Sequence, residues 1–240
     1  MSGHSKFHNI KKTKDKADAI RGKVFTKIGR EIAVAVKLGG PDPSTNNKLA
    51  DVIAKAKAAN MPNDNIQRSI SKASGDINTV NYDDVTYEGY GPAGTAVMVL
   101  CLTDNRNRTA GDVRHLFDKS GGSLGTNGSV SYLFSQKGVI VIEKESGVEE
   151  DVIFETALDF GVEDIVSEDE GFVVYTPVDT FKDVVKAFEG KNIPLASAEI
   201  EFVPSTYIVP SESQKESLEK LIDALENLDD VQEVYHNADI

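Results

Sequence analysis

The residues with the clearest chemical potential are cations. Between positions 6 and 30 stand Lys6, Lys11, Lys12, Lys14, Lys16, Arg21, Lys23, Lys27 and Arg30, opposed only by Asp15 and Asp18. Side chains of this kind neutralise phosphates and release counterions, so their chemistry is salt-dependent polyanion binding. Phe7, His8 and Asn9 lie among them and could stack on, or hydrogen-bond to, unpaired bases. The plainer account of such a charge run is a solvated basic tail. A second group occurs in TDNRNRTAGDVRH (103–115), where Arg106, Arg108 and Arg114 stand beside Asn105 and Asn107. A guanidinium fork suits phosphate oxygens and base faces. For Arg106 and Arg108, pairing with nearby carboxylates is the alternative.

Catalytic patterns are weaker. Gly121-Gly122-Ser123-Leu124-Gly125 matches G-x-S-x-G, but a nucleophile elbow needs a strand before the Ser and a helix after it. Here the expected order is reversed, and the only downstream histidine is His236, near the chain end. The stretch reads as a glycine-rich connection whose residues supply positive φ. There is no G-x-x-x-x-G-K-[ST] nucleotide loop. His4 and His8, with no carboxylate or thiol positioned nearby, make a poor metal site. Cys101 is the sole cysteine, so neither an intrachain disulfide nor a thiolate-rich zinc site can form. Its setting in AVMVLCL (96–102) marks it as a small buried hydrophobe. Acidic clusters such as Glu149-Glu150-Asp151 and Glu168-Asp169-Glu170 fit solvated turns and helix N-termini. No catalytic residue, no metal and no cofactor is expected, and the chain is not read as an enzyme.

Charge is unevenly spread. The 240 residues carry 26 Lys/Arg and 39 Asp/Glu, a net of −13. Residues 1–75 hold 15 Lys/Arg against 6 Asp/Glu, a net of +9, and the remainder holds 11 against 33, a net of −22. Such asymmetry hints at a basic module that seeks polyanions. The basic start is followed by no apolar signal region. The longest apolar run, seven residues at 96–102, is far short of the roughly 20 needed to span a membrane. The expectation is a soluble, cytoplasmic protein with no membrane partner.

The elements that must position these residues follow from periodicity. In 24–38, Val24, Phe25, Ile28, Ile32, Ala35 and Val36 form one helical stripe. GGPDP (39–43) stops that helix, and Ser44 or Thr45 can cap the next, which carries Leu49, Val52, Ile53 and Ala56. A short helix through Ile66 and Ile70 ends at Gly75. The three helices could include a helix-turn-helix, but the Asn60–Asn63 connection carries no decisive signature. From about 82 the period becomes alternating: two strands around Gly91–Gly94, a helix over 108–119, then a strand at VSYLF (130–134). Next come KGVIVIEK as a strand, a helix at 149–160, a hairpin, a helix at 179–189 and a strand at 195–203. That order is ferredoxin-like. A last helix with Leu218, Leu221, Ile222 and Leu225 and a last strand, VQEVYH, would complete the domain begun at 82.

The fold class is therefore α+β: an N-terminal helical bundle, then two α/β domains, the middle of the C-terminal part ferredoxin-like. The expected domains are a basic helical domain at 1–78, a discontinuous α/β domain at 79–136 plus 205–240, and an inserted ferredoxin-like α/β domain at 137–204. GHSKF at 3–7, RGKVFTKIGREI at 21–32, TDNRNRTAGDVRHLF at 103–117 and GGSLGTNGSV at 121–130 together resemble the YebC/PmpR family, over essentially the whole chain. The family usually has Trp after GHSK, where this chain has Phe7. Stacking survives that change, but a Trp N–H hydrogen bond does not. The resemblance implies three domains, the last α/β domain being an insertion, and neither cofactor nor reaction. Family members are mostly described as DNA-binding transcriptional regulators. Others, including a mitochondrial translational activator, look like ribosome-associated translation factors that assist difficult peptide synthesis. The expected partner is nucleic acid, DNA or ribosomal RNA, held by the basic N-terminal domain and by Arg106, Arg108 and Arg114. The acidic domains would then face solvent or basic ribosomal proteins.

Overall fold

The computed structural model describes Phe7, residues 19–75 and residues 81–240. Three helices come first: α1 (Ala19–Gly39), α2 (Asn47–Ala58) and α3 (Asn63–Gly75). Their apolar stripes meet in one core built from Ile28, Ile32, Ala35 and Val36 of α1, Leu49, Val52 and Ala56 of α2, and Ile66 and Ile70 of α3. Gly40, at φ 84°, takes the left-handed turn that ends α1. The residue capping α2 is Asn46, not Ser44 or Thr45. Its Oδ1 accepts from Leu49 N (3.1 Å) while its Nδ2 donates to the carbonyls of Ala35 and Gly40, each at 2.8 Å. A carboxamide, with an acceptor oxygen and two N–H donors, can cap one helix while bonding both carbonyls at the end of the previous one.

The first sheet has the order β3-β1-β2-β8, from β1 (Asp83–Tyr90), β2 (Ala96–Thr103), β3 (Ser123–Leu124) and β8 (Val231–His236). β1 pairs antiparallel with both β2 and β3. Helix α4 (Arg106–Lys119) follows β2, and α7 (Glu212–Glu226) precedes β8. Successive residues of β2 are buried on both faces, which accounts for the unbroken AVMVLCL run. The second sheet lies wholly between β3 and α7 in sequence. It comprises β4 (Phe134–Glu143), α5 (Glu150–Leu158), β5 (Asp164–Ser167), β6 (Gly171–Thr176), α6 (Phe181–Gly190) and β7 (Ser197–Pro204). Its antiparallel order, β5-β6-β4-β7, is ferredoxin-like. The expected strand at VSYLF is instead a short 3₁₀ turn over Ser131–Leu133, with β4 starting at Phe134. Val130 is buried at the base of that turn.

Two compact units result. One holds Val130–Ser211 with Tyr235–Ile240 and includes Phe7; the other holds residues 19–75 and 81–129 with Glu212–Val234, so the three helices share a unit with the first sheet. In the ferredoxin-like part, Ile140, Ile142, Phe172 and Val174 pack beneath Ile153, Ala157, Val184 and Phe188 of the two helices. Among the described residues, no helix is long and apolar enough to cross a membrane.

Two glycines separate packing from backbone effects. A Cβ at Gly138 on β4 would collide with Thr176 and Phe181 side chains, whereas at Gly111 in α4 it would meet nothing within 4 Å. Gly138→Ala is expected to cost about 1–3 kcal/mol by overpacking. Gly111→Ala should gain about 0.4–1 kcal/mol by restricting the unfolded chain. Denaturant midpoints moving in opposite directions is the outcome to look for.

Candidate nucleic-acid interface

The cations expected to meet phosphate fall into two groups once their surroundings are seen. The first group is occupied by internal partners, and its centre is Asp230, whose side chain is only 9% exposed. Arg30 Nη1 donates to Asp230 Oδ1 at 2.5 Å and to the Leu102 carbonyl at 3.0 Å. Arg108 Nη2 donates to Asp230 Oδ2 at 2.7 Å and to Asp104 Oδ1 at 2.6 Å. Thr109 Oγ1 donates to Asp230 Oδ2 at 2.7 Å, and Thr103 Oγ1 stands 3.3 Å from the same oxygen. The Arg30 guanidinium also lies over the Tyr82 ring, 5.4 Å from its centroid. Helix α4 is held in place by Asn105, whose Oδ1 caps it by accepting from Arg108 N. Burial pushes the Asp230 carboxyl up, but hydrogen bonds from Arg108, Arg30 and Thr109, with the Arg30 charge, more than offset this and hold it at about 2. The same contacts raise the Arg108 guanidinium above its ordinary value.

Lys23 and Lys27 serve the end of α7. Lys23 Nζ donates to the Asn227 carbonyl (3.0 Å) and Oδ1 (2.9 Å), and Lys27 Nζ to the Glu226 carbonyl (3.0 Å). Carbonyls at a helix C-terminus lack intrahelical donors and carry the negative end of the dipole, so two ammonium groups fit there. Burial lowers the Lys27 ammonium, against the opposing pull of Glu233 and Glu226. Arg106 Nε pairs with Asp83 Oδ2 at 2.9 Å, in a contact 61% and 54% exposed on its two sides. Arg21 is exposed on α1. Arg114 is exposed on α4 and has no ion-pair or hydrogen-bond partner among the described residues. Lys6, Lys11, Lys12, Lys14 and Lys16, with His4 and His8, lie outside the described residues.

Phe7 differs from the expectation that it meets a base. The ring is 8% exposed and packs with Val139, Val141, Val173, Tyr175 and Val203 on the face of the second sheet opposite its helices. A Cβ at Gly171 would sit 3.0 Å from Phe7 Cζ, so that glycine makes room for the ring. Burial of a phenyl group on an apolar sheet face is enough to anchor it.

The second group of cations was not singled out from the sequence: Lys37, Lys48, Lys57, Arg68 and Lys72 of the helical bundle. All five are exposed and have no partner among the described residues. The readable signal was the spacing of Arg68 and Lys72 opposite Ile66 and Ile70. Elsewhere, the Cys101 thiol is buried and pushed up to about 12, first by burial and then by the Asp230 charge, so it stays protonated. Ser123 sits on the two-residue strand β3 opposite Tyr90, preceded by α4 rather than by a strand. Among the described residues, no cluster of three or more His, Cys, Asp or Glu is placed to hold a metal ion.

Two outcomes follow from these placements. A carboxyl held at about 2 in the folded chain, against an ordinary 3.8, adds stability that is fully present above pH 4. That contribution, about 2 kcal/mol, is lost as pH falls from about 4 towards 2. The stability gap between wild type and Asp230→Asn, read from urea unfolding at stepped pH, should be widest above pH 4 and close on acidification. Phe7→Ala should cost about 2–4 kcal/mol as a large-to-small change at a nearly buried site. An unfolding midpoint matching wild type would show that the ring bears no load.

Comparison with known proteins agrees with this architecture. A family model described as the TACO1/YebC protein N-terminal domain matches residues 5–76, and one described as the TACO1/YebC second and third domain matches residues 82–238. A probable transcriptional regulatory protein of Acetivibrio thermocellus is 58% identical over 238 residues, covering 99% of this chain and 98% of the relative. One from Clostridium botulinum is 57% identical over 239 residues, covering 100% and 97%. The crystal structure of a conserved hypothetical protein from Aquifex aeolicus superposes with a TM-score of 0.80 at 44% identity, covering 92% of this chain and 91% of that one. With family models spanning nearly its whole length and relatives this similar end to end, the chain belongs to the TACO1/YebC family.

Proposed function

We propose that the protein is a non-enzymatic, cytoplasmic regulator of gene expression that binds nucleic acid through its basic N-terminal part. The observation that carries this reading is the charge distribution: +9 on residues 1–75 in a chain of net −13. The exposed Lys37, Lys48, Lys57, Arg68 and Lys72 support it, because cations with no partner among the described residues are available to phosphate. The names of the relatives, probable transcriptional regulatory proteins, point the same way and favour DNA as the target. Lys6, Lys11, Lys12, Lys14, Lys16 and Arg21 are proposed as further phosphate contacts. Arg114, exposed and with no partner among the described residues, is proposed as another. Arg30 and Arg108 are assigned to holding the fold.

A ribosome-associated translation factor is the second reading. The net of −22 on residues 76–240 favours it, since that charge repels duplex DNA beyond the contact patch but suits basic ribosomal proteins. Crosslinking the protein in cells and sequencing what it carries separates the two. Promoter DNA supports the first reading and rRNA or tRNA the second, while recovery of neither removes both.

Changing Lys11, Lys12, Lys14 and Lys16 together to Gln should weaken nucleic-acid binding by about tenfold or more and flatten its salt dependence. The unfolding midpoint should stay at the wild-type value, since no apolar group is lost. Point changes are preferred to deleting the segment, which would also remove Phe7 from its sheet. Unchanged affinity in the fourfold variant would end the phosphate role of this stretch.

A further inference from the structure

We infer that α2, its following turn and α3 form a helix-turn-helix, and that the outer face of α3 reads the major groove of duplex DNA. This deepens the nucleic-acid reading above and rests on it. Helix α2 ends at Ala58 and α3 begins at Asn63, leaving a four-residue connection. Within it, Asn60 takes a left-handed conformation at φ 57°, and Met61 turns inward to join the bundle core at 6% exposure. Asn60 N and Met61 N donate to the Lys57 and Ala56 carbonyls at 2.9 Å, and the Pro62 carbonyl accepts from Asn65 and Ile66 N to start α3. A turn of three or four residues joins the helices of this motif; here one left-handed residue and one buried anchor fix it. Both helices pack along α1. The side of α3 away from the core is exposed.

That side is polar and exposed. Ile66 and Ile70 point into the core, while Asp64, Gln67, Arg68, Ser71 and Lys72 are exposed on the opposite face. None of these five side chains has a hydrogen bond or ion pair among the described residues. Their types fit base edges: Arg offers two donors to guanine O6 and N7, Gln pairs with adenine N6 and N7, and Asp accepts from cytosine N4. Lys72, one turn beyond Arg68, suits a phosphate. Lys48, exposed in the first turn of α2, stands where the first helix of such a motif crosses the backbone. A helix with its side chains is about 10–12 Å across, and the B-form major groove is about 12 Å wide. The major groove of duplex RNA is too narrow to admit one. The geometry therefore points to DNA.

The test starts by selecting bound sequences from a random-sequence DNA duplex pool with the full chain. Affinities are then measured for the enriched duplex and a scrambled one. Arg68→Lys keeps the charge but loses the fork, so it should bind the scrambled duplex within about twofold of wild type and the enriched duplex about tenfold more weakly. Gln67→Ala with Arg68→Ala should lose more on the enriched duplex than on the scrambled one, whereas Lys72→Ala should weaken both alike. These positions are exposed, so unchanged unfolding midpoints verify that each variant is folded. Pool binding without an enriched sequence overturns the α3 assignment alone, as does Arg68→Lys losing equally on both duplexes. A chain that binds no DNA duplex overturns the assignment together with the DNA reading beneath it. Tight selection from an RNA pool instead supports the translation-factor reading.

Discussion

The buried Asp230 carboxylate is the constraint on which the helical bundle and first sheet depend. A nearly buried charge is tolerated only when paired and hydrogen-bonded. Asp230 meets that condition with groups from three separate elements: Arg30 on α1, Arg108 and Thr109 on α4, and Thr103 at the end of β2. Its own backbone carbonyl accepts from Leu102 N at 2.8 Å, beside the Leu102 carbonyl that Arg30 takes. The segment leading into β8 is thereby pinned to β2 while α1 and α4 are set around it. Removing any one partner would leave the others with charge and too few contacts, so the four elements are fixed together.

This division of labour explains why a basic segment need not be a binding surface along its whole length. Arg30, Lys23 and Lys27 face the first sheet and α7, and their charge is consumed by a carboxylate and by helix-end carbonyls. Arg68 and Lys72 are exposed on their helix and have no partner among the described residues. Equal charges on one bundle thus have different fates, decided by what each helix face meets rather than by local charge density. Phe7 shows the same for an aromatic residue: beside cations in sequence, it packs on a valine-rich sheet face.

Much of the fold was legible in the sequence because its signals are local. The stripe Ile28, Ile32, Ala35 and Val36, the helical spacing of Val184 and Phe188, and the alternation around β6 each report one element and its buried face. The VSYLF error has a local cause as well: its apolar, aromatic composition suits a strand, but the backbone turns before pairing begins at Phe134. The partners of the arginines were not legible. Arg30 and Asp230 are 200 residues apart, and nothing local to Asp230, which follows Asp229, announces a buried charge. The turn proposed to belong to a helix-turn-helix was hard to read for a subtler reason. Asn60 replaces the usual glycine at the left-handed position, which asparagine tolerates through its short polar side chain.

The large negative charge beyond residue 75 bears on how such a protein would choose its target. Non-specific DNA affinity comes almost wholly from phosphate neutralisation. A chain of net −13 has little of it to spare, because acidic surface near the duplex opposes approach at any sequence. Repulsion of this kind lowers the affinity for every site equally, whereas contacts to base edges add affinity only at the right one. Specificity is a difference of affinities, so a background held low makes each base contact count for more. On the proposed reading, the acidic remainder and the polar face of α3 are therefore complementary. One suppresses indiscriminate binding, and the other supplies the contacts that a correct site must make to overcome that suppression.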